Sequence, residues 1–250
     1  MKPPSNASLR PVITTGRLAT RMSLAEQAAL QAALQPYLLT PDFLATAAPV
    51  EVELGMGNGM ALYERAKADP STRFVGSEIY LNGLQTLLKA LSKNPLPNVR
   101  IYPQDARTLF TSGLLQPNSL TRVLILFPDP WPKSSHHKRR LVQPQLISSI
   151  RDHLAPGAEL WVVTDWPSYA YHSIATLYPT PGLKLAQTLL AAADCKPSAR
   201  LSGQPEDAAE PALGPQLLMQ APLWWQPTKY QHKAQLAGRN PWFIKAIKTA

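Results

Sequence analysis

From Val50 onward, short apolar runs alternate with longer stretches in which apolar positions recur every three or four residues, and that alternation predicts a parallel α/β sheet. Strands are expected at 50–54, 73–79, 99–102, 122–127 and 159–164, with helices at 59–68, 81–92, 140–154 and 168–178. A last strand is expected near 242–247. Ahead of the sheet, Ser23 followed by Glu26 forms a capping-box pattern for a helix that runs to Leu34 and stops at Pro36. Between 179 and 222, seven prolines, many alanines and the acidic group Glu206, Asp207 and Glu210 predict a long loop or an insertion. The pattern therefore divides the chain into an arm with one helix, residues 1–45, and a main domain, 46–250, that carries the 179–222 stretch.

Composition narrows the picture. With 45% hydrophobic residues in a chain of 250, a substantial core is expected. No run approaches the roughly 18 to 20 apolar residues of a membrane-spanning helix, and the opening MKPPSNASLRPVITTGR has no apolar core of a signal peptide. A soluble, cytoplasmic protein without membrane contact is the expectation, as a monomer or homodimer. Cys195 is the only cysteine, which excludes an internal disulfide and leaves a cysteine zinc site without ligands. His136 and His137 are adjacent and lack partners at metal-ligand spacing, so no metal is expected. The net charge is +9, and it is uneven: residues 1–41, 130–153 and 228–250 together carry +12, while the other 162 residues carry −3. Such clustering suits a polyanionic partner such as nucleic acid.

Acids are scarce, and five of the sixteen, Glu53, Glu78, Asp105, Asp129 and Asp165, fall at or just after the ends of the five expected strands. The first four are spaced by 25, 27 and 24 residues, the length of one strand-helix unit, so successive units should deliver them to one rim. In an open parallel sheet, ligands bind outside the carboxyl ends of the strands. Gly55, Gly57 and Gly59 after the first strand allow a tight turn, but their spacing is not the G-x-G-x-x-G of dinucleotide enzymes. Glu53 beside that turn would repel a pyrophosphate. S-adenosyl-L-methionine reverses the sign, since it has no phosphate and carries a sulfonium and an ammonium. Glu78 is then placed for ribose hydroxyls, and Asp105 for the amino group of adenine.

The most distinctive stretch is Leu126-Phe-Pro-Asp-Pro-Trp-Pro-Lys-Ser-Ser-His-His-Lys-Arg-Arg-Leu141. Pro128, Pro130 and Pro132 forbid helix and hold Asp129 on a stiff turn. Lys133, Lys138, Arg139 and Arg140 then place cations at the expected start of a helix, where the dipole prefers acids, so an anion is expected there. This segment resembles the signature of the bacterial tRNA (guanine-N7)-methyltransferases. The pieces 16–20 with Gln27, 52–57, 75–79, 104–106, 164–169 and 228–231 resemble that family's other motifs in their order.

The resemblance implies a Rossmann-like class I methyltransferase fold, with a mostly parallel twisted sheet and helices on both faces. It implies methyl transfer from S-adenosyl-L-methionine to N7 of a guanine in the tRNA variable loop. Glu53, Glu78, Asp105 and Asp129, with the glycines, would meet the cofactor; Asp129 would lie at the reacting centre; Lys133, Asp165, Thr228, Lys229, Tyr230 and Gln231 would contact the tRNA guanosine. One motif departs from the family: its last usually ends in Phe-Glu, where this chain has Tyr230-Gln231. A glutamine offers one acceptor oxygen and two donors, so guanine recognition would fall to Asp165 or Asp129. That departure also leaves a competing reading, a catalytically weakened RNA-binding or partner subunit of the same fold.

Overall fold

Val50, Val52 and Leu54 point to one face of strand β1 (Val50–Leu54) and Glu51 and Glu53 to the other, and all five are buried, as expected for a strand covered on both sides. Helix α1 (Leu24–Leu34) precedes it, with the capping box of Ser23 and Glu26 formed, followed by a 3-10 turn at Gln35–Tyr37 and the short α2 (Pro41–Leu44). After β1 come α3 (Met60–Ala68), β2 (Arg73–Ser77), α4 (Leu81–Lys93), β3 (Val99–Tyr102) and α5 (Ala106–Leu109). Then follow β4 (Leu120–Leu126), α6 (Pro144–His153), β5 (Leu154–Thr164), α7 (Pro167–Leu177), β6 (Leu183–Leu185), α8 (Lys229–Leu236) and β7 (Trp242–Lys248). This computed structural model describes residues 22–186 and 221–250. Lys2, Arg10, Arg17 and Arg21 of the arm, its 16–20 motif, Cys195 and the acids Glu206, Asp207 and Glu210 lie outside the described residues.

The seven strands order as β3-β2-β1-β4-β5-β7-β6. The first five are parallel, and β7 runs antiparallel between β5 and β6. Strand order reverses between β1 and β4, which opens a crevice at their carboxyl ends. On one face, Val52, Val75, Val123, Val162 and Ile244 pack against α6 and α7. On the other, α1, α3 and α4 cover the β1-β2-β3 half through Leu30, Leu62, Leu84 and Leu87. Burying each such side chain contributes about 1.5–3 kcal/mol. Under the β4-β5-β7 half lie Leu124, Trp161 and Phe243, covered by Trp224 and Trp225 from the segment before α8.

Several expectations need correction. The helix expected at 140–154 begins only at Pro144, at its first turn, where a missing N–H costs nothing. The basic residues before it form a separate 3-10 turn, Ser134–Arg139. The argument from a helix dipole therefore does not apply to them. Strand β5 begins at Leu154 rather than 159, because Ala155-Pro-Gly-Ala158, a turn composition, is absorbed by a register shift against β4. Most of the expected loop or insertion at 179–222 lies outside the described residues, its first part holding the short strand β6, and the polar helix α8, which lacks an apolar stripe, was not expected at all.

Candidate active site

The loop after β1 is shaped by Gly55, Gly57 and Gly59, with φ of 69°, 59° and 68°, a region that L side chains rarely adopt. Glycine is equally needed across from it: a Cβ on Gly83 would stand 2.3 Å from the Gly57 carbonyl oxygen, so only glycine lets α4 pass the loop there. Most amides of the loop are already engaged. Gly55 and Met56 donate to the Ser77 carbonyl at 2.9 and 3.0 Å, and Gly59 to the Met56 carbonyl at 3.0 Å. Gly57 donates to Glu78 Oε2 at 2.8 Å, and Met60 to Asn58 Oδ1 at 3.4 Å. A phosphate cradle presents free amides to its ligand, and here five of them are turned inward.

Above the loop lies a cavity of about 240 Å³ at the carboxyl ends of β1, β2, β3 and β4. Gly55, Gly57, Glu78, Asp105, Asp129 and Tyr230 from the expected site residues line it, together with Ser77, Phe127, Trp131 and Arg139. Glu78 accepts from the amides of Gly57, Ile79 and Tyr80 at 2.8, 2.8 and 2.9 Å, which leaves about one of a carboxylate's four acceptor sites open. Burial pushes its carboxyl above the usual range, against those three bonds and with the charge of Asp129 adding to the rise. Asp129 is open to solvent, yet its walls crowd it enough that desolvation pushes its carboxyl up as well. Asp105 behaves differently. It caps α5 by accepting from the Arg107 amide at 2.9 Å and is bonded by the Arg107 guanidinium, and against the upward pull of burial these bonds hold its carboxyl below the usual range.

Asp129 sits between two bulky residues in the left-handed region, Phe127 at φ 48° and Trp131 at φ 41°. Each costs roughly 1–2 kcal/mol, and such strain gathers where a fold must hold a side chain in one place. Prolines 128, 130 and 132 signalled a stiff turn, but not which residues would be strained. The Arg139 guanidinium lies 4.9 Å from the centre of the Trp131 ring, and His136 meets its edge at 5.7 Å. Arg140, expected on the basic patch, is instead buried, donating to the carbonyls of Pro130 at 3.0 Å and Ser168 at 3.4 Å. It ties the Asp129 turn to α7.

The remaining expected residues stand outside the cavity. Glu53 is buried beneath its floor, its carboxylate bonded by Arg65, and burial raises its carboxyl despite that partner. Gly59 caps α3, where a Cβ would stand 2.7 Å from the side chain of Leu87. Lys133 is exposed. Asp165 bonds Arg239 Nε at 2.8 Å through Oδ2, and Arg239 lies over the Trp166 ring at 5.4 Å. Thr228 caps α8 and accepts from the Gln231 amide at 3.1 Å, Lys229 lies 5.0 Å from the centre of the Tyr230 ring, and Gln231 Oε1 accepts from the Trp225 indole at 2.9 Å. Sequence reasoning missed Ser77, which lines the cavity and whose hydroxyl is buried without a partner, and also Arg139 and Phe127 as wall residues. A serine ending a strand carries no pattern that would have marked it.

Residues 47–203 match the family described as "Putative methyltransferase". A tRNA (guanine-N(7)-)-methyltransferase of Chromohalobacter salexigens is 42% identical over 137 residues, 55% of this chain and 55% of that protein. One from Saccharophagus degradans is 30% identical over 203 residues, 81% of this chain and 77% of that protein. The match to the first thus spans little more than half of that relative's length. Among solved structures, the 16S rRNA methyltransferase KamB superposes with a TM-score of 0.52 at 14% identity, covering 92% of this chain and 96% of that one, a likeness of fold. No helix among the described residues is long and apolar enough to cross a membrane. The chain has the Rossmann-like class I methyltransferase fold and belongs to the family of the bacterial tRNA (guanine-N7)-methyltransferases.

Proposed function

We propose that the protein binds S-adenosyl-L-methionine in the switch-point cavity and transfers its methyl group to N7 of a guanine in the tRNA variable loop. The observation that carries this reading is the cavity's polar lining: Glu78 and Asp129 face it without a cation partner. Such a lining fits a ligand with positive groups and hydroxyls. The mostly inward-turned amides of the Gly55–Gly59 loop fit it too, because they offer little to a pyrophosphate. Glu78 keeps about one acceptor site for a ribose hydroxyl, while Asp105, with Arg107 across its carboxylate, has less to offer an amino group.

When bound, S-adenosyl-L-methionine supplies an electrophilic methyl group. Guanine N7 carries an in-plane lone pair, so no residue has to remove a proton. The work of the chain is to align N7 with that methyl at about 3–3.5 Å and to keep water out of the line. Asp129, held by the strained turn, stands at the cavity rim, where it stabilises the positive charge that grows on the base during transfer. Phe127 and Trp131 offer flat walls for an unpaired base. Lys133, Lys138 and Arg139, at the turn that follows, supply cations for phosphates. Asp165 retains Oδ1 for the guanine edge, with Oδ2 held by Arg239.

The test is incubation with tRNA and methyl-labelled cofactor, followed by mapping of the label. Label at N7 of guanine is expected. Label on an exocyclic amine or a ribose overturns the proposal.

A further inference from the structure

Gln231 ends the motif that departs from the family pattern, and its surroundings give it a use that does not involve a base. Its amide oxygen accepts from the Trp225 indole at 2.9 Å, and its backbone amide donates to Thr228 Oγ1 at 3.1 Å. Both bonds fix the first turn of α8, which starts at Lys229. Trp225 is itself anchored. It is buried against Phe243, with ring centres 5.0 Å apart and planes nearly perpendicular, and it lies 6.2 Å from Phe127.

Tyr230 precedes Gln231 and reaches the cavity. Its ring stacks on Phe127 at 6.5 Å with a 28° tilt, and its Cε2 and hydroxyl lie 3.5 and 3.6 Å from where a Cβ of Gly57 would be. Phe127 is therefore held between Trp225 and Tyr230, two residues before Asp129. One aromatic row connects the tail to the Asp129 turn and to the glycine loop.

We infer that Trp225 and Gln231 form a positioning pair, whose hydrogen bond sets α8 so that Tyr230 roofs the cofactor cavity over Gly57, and that Gln231 acts through this bond rather than on the guanine. The inference rests on the reading that the cavity takes S-adenosyl-L-methionine.

A double-mutant cycle tests it, with S-adenosyl-L-methionine affinity measured by calorimetry and kcat and KM for tRNA measured in turnover. Trp225→Phe keeps an aromatic ring, though a smaller one, and removes the donor; Gln231→Met keeps the volume and removes the acceptor. Each should weaken cofactor binding by about three- to tenfold, the worth of one hydrogen bond. The double variant should bind no worse than either single one, because both remove the same bond. Gln231→Glu retains an acceptor and should restore affinity to within about twofold of the native protein, and KM for tRNA should stay unchanged in all four. Cofactor affinity at the native value in Gln231→Met with a raised KM for tRNA would mean that Gln231 reads the base, and would overturn the inference. So would losses that multiply in the double variant. If the native protein shows no saturable cofactor binding, the reading of the cavity fails first, and the pair loses its role with it.

Discussion

The carboxylates of Glu51 and Glu53 are buried and set against cations, whereas Glu78 is half-buried, Asp129 is exposed, and neither has a cation beside it. Glu51 and Glu53 share the guanidinium of Arg65, Glu51 also meets Arg122 at 3.0 Å, and Arg122 continues to Glu159 and from there to Lys245. Trp224 covers this network, with Arg122 and Arg65 at 5.1 and 6.0 Å from its ring centre. Glu78 is held only by neutral backbone amides, and Asp129 has no hydrogen bond or ion pair among the described residues. An acid set against a protein cation has its charge balanced and joins the architecture. An acid held by dipoles at a cavity wall keeps its charge for whatever enters.

Removing Arg65 should produce the largest effect of this contrast. Arg65→Met leaves two buried carboxylates without their shared cation, and breaking such a set costs about 3–5 kcal/mol. Urea denaturation should show that loss in the midpoint, and cofactor affinity should persist wherever the variant is folded. A variant that is stable yet fails to bind S-adenosyl-L-methionine would move Glu53 into the ligand-binding group and break the comparison.

Asp129→Asn should act in the opposite sense. The side chain supports no element, so melting temperature should change little, while turnover falls by about 10²–10³-fold through lost stabilisation of the charged transition state. Retained turnover would remove Asp129 from the centre of the reaction.

Acidification should separate the two groups more gently. Glu78 and Asp129 both have carboxyls raised above the ordinary range, so in the free protein they take up protons at higher pH than exposed acids do. A cationic ligand binds the deprotonated forms. Cofactor affinity should therefore be level near neutral pH and decline as pH falls, starting above the usual carboxylate pKa of about 4, by up to about tenfold per pH unit for each group that must lose its proton. In Asp129→Asn the decline should be shallower. An unchanged profile would show that Asp129 does not titrate against the ligand.

How much of this was legible in the sequence follows from the range of each signal. Strands β1 and β3 matched to the residue, because a buried parallel strand is a local apolar run with sharp ends. The positions of Glu78, Asp105 and Asp129 around one cavity followed from spacing alone, since each strand-helix unit returns the chain to the same rim. Glu53 was grouped with them because spacing cannot show Arg65, twelve residues on, turning back across the strand. Helix α8 was missed for a related reason: its eight residues bury only Ala234, so no apolar period exists, and its start depends on Thr228 and on the distant Trp225. The Asp165–Arg239 pair spans 74 residues and left no local mark.

The same distinction applies to the cations, where the effects are smallest. By bulk charge the segments 130–153 and 228–250 each carry five basic residues, but the fold divides them unequally. Arg140 clamps the Asp129 turn, Arg239 holds Asp165, Lys245 meets Glu159, and Lys248 donates to the Arg151 carbonyl at 2.7 Å. Lys133 and Lys138, beside the cavity, are exposed, as is Lys233 on α8, and Lys229 lies against Tyr230. Only cations of this second kind are positioned to meet phosphates. Lys133→Ala should therefore weaken tRNA binding several-fold at low salt and lower the slope of log affinity against log salt by about 0.7–0.9, the release of one counterion. Lys245→Ala should leave that slope unchanged, even though both variants remove one positive charge. Equal slopes in the two variants would mean that net charge, rather than the placement of the unengaged lysines, governs tRNA binding.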